Sequence, residues 1–63
     1  MREYRIYPLN PAGAIAGAED VRCDDDGRAF EVARQKLQPG QKAEVWSGSH
    51  YMGRVVKAEA LQA

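Results

Sequence analysis

A single cysteine, a single histidine and no excess of charge remove much of the chemistry a small protein could rely on. Cys23 has no partner for a disulfide within the chain. One Cys and one His (His50) cannot supply the four N/S ligands of a structural zinc site. Nine Lys plus Arg balance nine Asp plus Glu, so the positive field with which nucleic-acid binders neutralise phosphates is missing. A nucleic-acid partner is therefore disfavoured. No apolar run approaches the roughly 20 residues of a membrane span. The opening "MREYRIYPLN" has charges where a signal peptide has its apolar core. Together with an unpaired thiol, this predicts a chain of the reducing cytoplasm with no membrane association.

Chemical motifs are also scarce. The six glycines never fall into GxGxxG or a P-loop, and neither GxSxG nor HExxH occurs. The expectation is no enzyme: no catalytic residue, no cofactor and no metal site. Sixty-three residues predict a single small α+β domain over 1–63, with a core at about 3–57 and a tail at 58–63. Such a chain buries only about 60% of the surface its unfolded form exposes. With disulfide and metal excluded, self-association is the remaining stabilising device.

What is present is a pattern of elements. "REYRIYPL" alternates, with Tyr4 and Ile6 on one face and Glu3, Arg5 and Tyr7 on the other, and predicts a first strand that Pro8 closes or marks as an edge. "NPAG" (Asn10 to Gly13) is a turn sequence. Ala14 to Cys23 reads as a weaker strand in which Ile15, Val21 and Cys23 share parity and Gly17 suggests a bulge. Ala29, Phe30, Ala33 and Leu37 form one helical stripe, with Arg28, Glu31, Arg34 and Gln35 facing water and Pro39-Gly40 ending the helix. "KAEVW" and "YMGRVV" are two more strands, joined by a tight turn at Gly48-Ser49. The fold class is α+β: β-β-α-β-β, one four-stranded mainly antiparallel sheet with a single helix packed on one face. Numbering strands along the chain, the favoured order is β2-β1-β3-β4, a split βαβ unit with an added edge strand. The order β1-β2-β3-β4 fits the same pattern.

The run Asp24-Asp25-Asp26 invites a cation site. An EF-hand loop with Gly27 at position six would put Arg22 at position one and Ala33 at position twelve, and both ends fail. A helix N-terminus explains the run better, because its unpaired N–H groups and positive dipole end favour carboxylates. On this reading Asp24 is the cap, and Gly27 falls where a capping-box Glu could have stood. Cys23 reads as a small core residue by its parity, although spacing alone leaves a Cys23–His50 dyad open. His50 falls in the hairpin turn, where an exposed histidine is ordinary.

The remaining lead is aromatic. One helix covers one sheet face, and parity sends Tyr7, Trp46 and Tyr51 to the other, beside Lys42 and Glu44. Exposed aromatic surface marks an interaction site. A cross-strand Trp46–Tyr51 pair that only stabilises the hairpin gives the same pattern. Tyr7, Trp46 and Tyr51 are the candidate partner-binding residues.

"YRIYPLNPAGAI", the Cys-Asp-Asp junction, the Ala-rich helix and "EVWSGSHYMGRV" resemble a group of small uncharacterised alphaproteobacterial proteins with the same ββαββ order. The resemblance runs from Tyr4 to about Val55 and implies a bacterial, cytoplasmic, stand-alone domain, with no activity or site residues to transfer. The hairpin before an acidic-capped, Ala-rich helix is also similar to HicB-like antitoxin domains, which implies a regulatory alternative. The fuller partner-binding and DNA-binding extensions that such proteins often carry have no counterpart here. The leading expectation is a non-enzymatic interaction module, a homo-oligomer (dimer) or binder of a protein partner. The alternative is a sheet face that stacks single-stranded nucleic acid with help from Arg5, Lys42 and Arg54.

Overall fold

Residues 2–58 are described by the computed structural model. The alternation in the first segment produces β1 (Arg2–Leu9), which lies in the middle of the sheet. It pairs antiparallel with β2 (Glu19–Cys23) on one side and with β3 (Lys42–Ser47) on the other. β3 continues the sheet to β4 (His50–Val56), giving the order β2-β1-β3-β4. Being antiparallel to the same strand, β2 and β3 run parallel to each other. A connection between parallel strands needs a crossover, which the helix α1 (Asp26–Lys36) supplies. The fold is α+β with the chain order β-β-α-β-β.

Two details of the first hairpin differ from expectation. Pro8 neither closes β1 nor lies on an edge strand: it sits inside the central strand, opposite Ala43. Its carbonyl accepts from Ala16 N–H at 2.7 Å, so its missing N–H also faces the β2 side. There the ladder has already stopped at Ile6–Glu19, and the proline sacrifices no strand pairing. For the same reason the second strand is shorter than expected. Residues 14–18 are not in a strand, Ile15 makes only an isolated bridge to Leu9, and it is 58% exposed. The run "AIAGA" has too little bulk to pack, and Gly17 marks no bulge because no ladder reaches it. The turn itself forms as expected, with Asn10 Oδ1 accepting from Ala12 and Ala14 N–H, both at 3.0 Å.

The helix buries Ala29, Ala33 and Leu37 and half-buries Phe30, the stripe read from the sequence. Tyr4, Ile6, Ala43 and Val45 meet it from the sheet, and Cys23 is buried beside them. Because Ala29 and Ala33 are fully buried and small, the helix lies close on the strands. Phe30 projects onto β4 at Gly53, where φ is +147° and a β-carbon would stand 3.3 Å from the ring. The register slips here: Val45 faces Gly53 and Trp46 faces Tyr51, leaving Met52 as the extra residue of a bulge.

The acidic run caps the helix, but one residue later than expected. Asp25, not Asp24, is the N-cap, in extended conformation and accepting from Arg28 N–H at 2.8 Å. The shift moves Gly27 to the second helical position, so the capping-box position belongs to Arg28. Asp26 has a separate task. It accepts the Tyr4 hydroxyl at 2.5 Å and lies 3.6 Å from the Arg2 guanidinium, tying the first strand to the first turn of the helix. Asp25→Ala is expected to cost about 1 kcal/mol, within the range of roughly 0.5–2 for lost caps. Asp24→Ala should stay within about 0.5 kcal/mol, as for a surface change. Thermal melts distinguish the two, since a domain this size loses on the order of 4–8 °C per kcal/mol.

The Tyr4–Asp26 bond also has a signature in alkali. The hydrogen bond to Asp26, then burial, raise the Tyr4 phenol above its ordinary value of 10.0. A group whose folded pKa is raised stabilises the fold fully below its unfolded pKa, and that contribution is lost as pH rises through the folded value. Denaturation midpoints should therefore fall more steeply above pH 10 in the wild type than in Tyr4→Phe, which has no proton to lose there. Parallel slopes for the two proteins would show that the bond does not discriminate between protonation states.

Candidate functional site: the open face of the sheet

Strand alternation assigns each residue to a face. Opposite the helix, β1 presents Glu3, Arg5 and Tyr7, β3 presents Lys42, Glu44 and Trp46, and β4 contributes Tyr51, Arg54 and Val56. Register then brings the three aromatic residues together. Trp46 faces Tyr51 across the hairpin, with ring centroids 5.4 Å apart at 63°. Tyr7 meets the other side of the indole at 6.2 Å and 90°. Both contacts are edge-to-face, the arrangement aromatic quadrupoles favour. The tight turn that sets this register needs Gly48, whose φ of +60° matches the first position of a type II′ hairpin.

Tyr7 and Trp46 partly cover each other and are half-buried, whereas Tyr51 is 46% exposed and Val56, further along β4, 50%. Trp46 and Tyr51 thus form the cross-strand pair, and Tyr51 still meets solvent. The bulge at Met52 preserves this. It turns Met52 and Val55 toward the helix while Tyr51, Arg54 and Val56 stay on the open side.

Charged side chains frame the aromatic row. Trp46 Nε1–H donates to Glu44 Oε1 at 3.2 Å, and Glu44 lies 3.7 Å from the Arg54 guanidinium. On the β2 side, Arg5 Nε–H donates to Asp20 at 2.8 Å and Arg22 to Glu3 at 3.1 Å. The Arg5 guanidinium, through its hydrogen bond and then its charge, holds the Asp20 carboxyl below its ordinary range. These pairs are solvent-exposed, and such pairs add little stability. Their effect is to neutralise the border of the face.

The other candidates are dispersed. Cys23 ends one edge strand and His50 begins the opposite one, three strand spacings or about 14 Å apart across the sheet. Cys23 is also buried, so the two form no dyad. Among the described residues no three His, Cys, Asp or Glu side chains group as metal ligands would. Also among those residues, no helix is long and apolar enough to cross a membrane. Lys42 and Arg54 were read from the sequence only as local charge, yet both line a cleft at one end of the open face. Asn10, a turn residue in the sequence reading, and Gln41 line it too, from two different loops that nothing local in the sequence joins. No protein-family model, curated protein or solved structure matches this chain.

Proposed function

We propose that the chain is a non-enzymatic interaction module of the cytoplasm that associates through its open sheet face, first of all with a second copy of itself. The observation that carries this reading is the Tyr7–Trp46–Tyr51 row, continued along β4 by the exposed Val56. Aromatic residues are enriched at the centres of interfaces, and charged rims surround them. Here Arg5, Arg22 and Arg54 of the rim are already paired internally, so two copies would meet with little net repulsion, consistent with zero formal charge. A small domain also gains stability from the association.

Sedimentation across a concentration series tests the reading. The expected result is a monomer–dimer equilibrium accompanied by a change in Trp46 fluorescence. A strict monomer at the highest concentration, with unchanged emission, would remove self-association. Stacking of single-stranded nucleic acid on the same row has weaker support, because the chain carries no net positive charge and Arg5 is paired with Asp20. Oligonucleotide quenching of Trp46 that fades with salt would favour that alternative over a protein partner.

A further inference from the structure

Beyond the aromatic row, the open face ends in a cleft of about 710 Å³ between the β1–β2 turn and the loop that follows α1. Its volume falls within the range typical of small-ligand sites. Pro11 and Pro39 are among its walls, and its polar side chains are Asn10, Gln38, Gln41, Lys42 and Arg54. The hydrogen bonds around the cleft leave these groups mainly with donors to spare. Asn10 Oδ1 already accepts from Ala12 and Ala14 N–H, which leaves its amide NH₂ to be satisfied. Gln41 Oε1 likewise accepts from Gln38 N–H at 3.0 Å, leaving its own NH₂. Lys42 has only donors, and Arg54 spends one edge of its guanidinium on Glu44 at 3.7 Å and keeps further N–H groups. None of the described residues lining the cleft is an Asp or Glu.

We infer that this cleft is a binding site for a small oxyanion, a carboxylate or phosphate group held by Lys42 and Arg54 and oriented by the Asn10 and Gln41 amides. Among the described residues of the lining there are two cations and no carboxylate, and most of the side-chain capacity is donation, which complements an acceptor-only ligand and disfavours a cation. The two amides add selectivity. Each is locked by a turn of the fold, so its NH₂ direction is fixed before the ligand arrives. Lys42 lies across from Val56 and Arg54 beside it on the same face, so the titration is run on dilute protein, below the concentration at which copies associate.

Titration with inorganic phosphate and, separately, with succinate tests it, read through the side-chain NH₂ resonances of Asn10 and Gln41. Saturable shifts of both signals in the millimolar range are expected with at least one probe, and the stronger response identifies the source chemistry. Lys42→Gln and Arg54→Gln, both exposed positions, should each weaken binding about tenfold, the effect of losing one charge-assisted hydrogen bond. Arg22→Gln, on the far edge strand, removes the same charge and should leave affinity unchanged. The proposal is overturned if neither probe moves the two amide signals saturably, or if Arg22→Gln weakens binding as much as Lys42→Gln does.

Discussion

Replacing Gly53 with alanine is expected to destabilise the fold by roughly 2–4 kcal/mol, the sum of backbone strain and overpacking. Two separate costs meet at this residue. Its φ of +147° is a conformation that residues with a β-carbon rarely adopt. The new methyl would also stand 3.3 Å from Phe30 Cζ and 3.4 Å from Cε1, in a region where the helix is already seated on the sheet. A domain below about 70 residues rarely holds more than about 3–5 kcal/mol in its core, so the variant should be largely unfolded near body temperature. A double-mutant cycle separates the terms. In a Phe30→Leu background the clash is relieved and the strain remains, so Gly53→Ala should cost less there by about 1 kcal/mol or more. Equal costs in both backgrounds would mean that Phe30 does not press on Gly53.

The second large effect is on association. Trp46 lies between Tyr7 and Tyr51, and truncating a central interface aromatic commonly costs about 2 kcal/mol or more. Trp46→Ala should thus raise the dimer dissociation constant by roughly 30-fold. Trp46 also staples the hairpin, and a cross-strand aromatic pair contributes only about 0.2–1 kcal/mol to the fold. Tyr51→Lys separates the two roles. This residue is exposed, so the fold should lose no more than the cross-strand pair's contribution, about 0.2–1 kcal/mol, while a cation on each copy would repel across the proposed dimer. Both variants are expected to sediment as monomers where the wild type is dimeric. Arg34→Ala, on the water-facing side of the helix, should leave the equilibrium unchanged. Loss of association only in Arg34→Ala would move the interface to the helix.

The elements were legible in the sequence where side-chain period and turn chemistry agreed. Tyr4 and Ile6 alternate against Arg5 and Tyr7, the stripe from Ala29 to Leu37 has helical spacing, and Gly48-Ser49 sets a two-residue hairpin. That register was enough to pair Trp46 with Tyr51 and to collect the aromatic row on one face. The misreadings share a cause: each turned on contacts between segments distant in the chain. Pro8 sits within a central strand because the neighbouring ladder stops short of it. The cap falls on Asp25, and Asp26 is engaged by Tyr4, a contact 22 residues away that three consecutive aspartates cannot disclose. The bulge at Met52 was hidden for a similar reason, since Gly53 reads as a weak strand residue until Phe30 is placed above it. The tail expected over 58–63 lies, from residue 59 onward, outside the described residues.

The most direct test of the open face as the interaction surface is to follow backbone amide and Trp46 indole resonances through a dilution series. Concentration-dependent shifts should concentrate at Tyr7, Trp46, Tyr51 and Val56, with Arg28, Glu31 and Gln35 on the outer face of the helix unmoved. Shifts confined to those helix residues, or spectra independent of concentration with monomer tumbling throughout, would contradict the account.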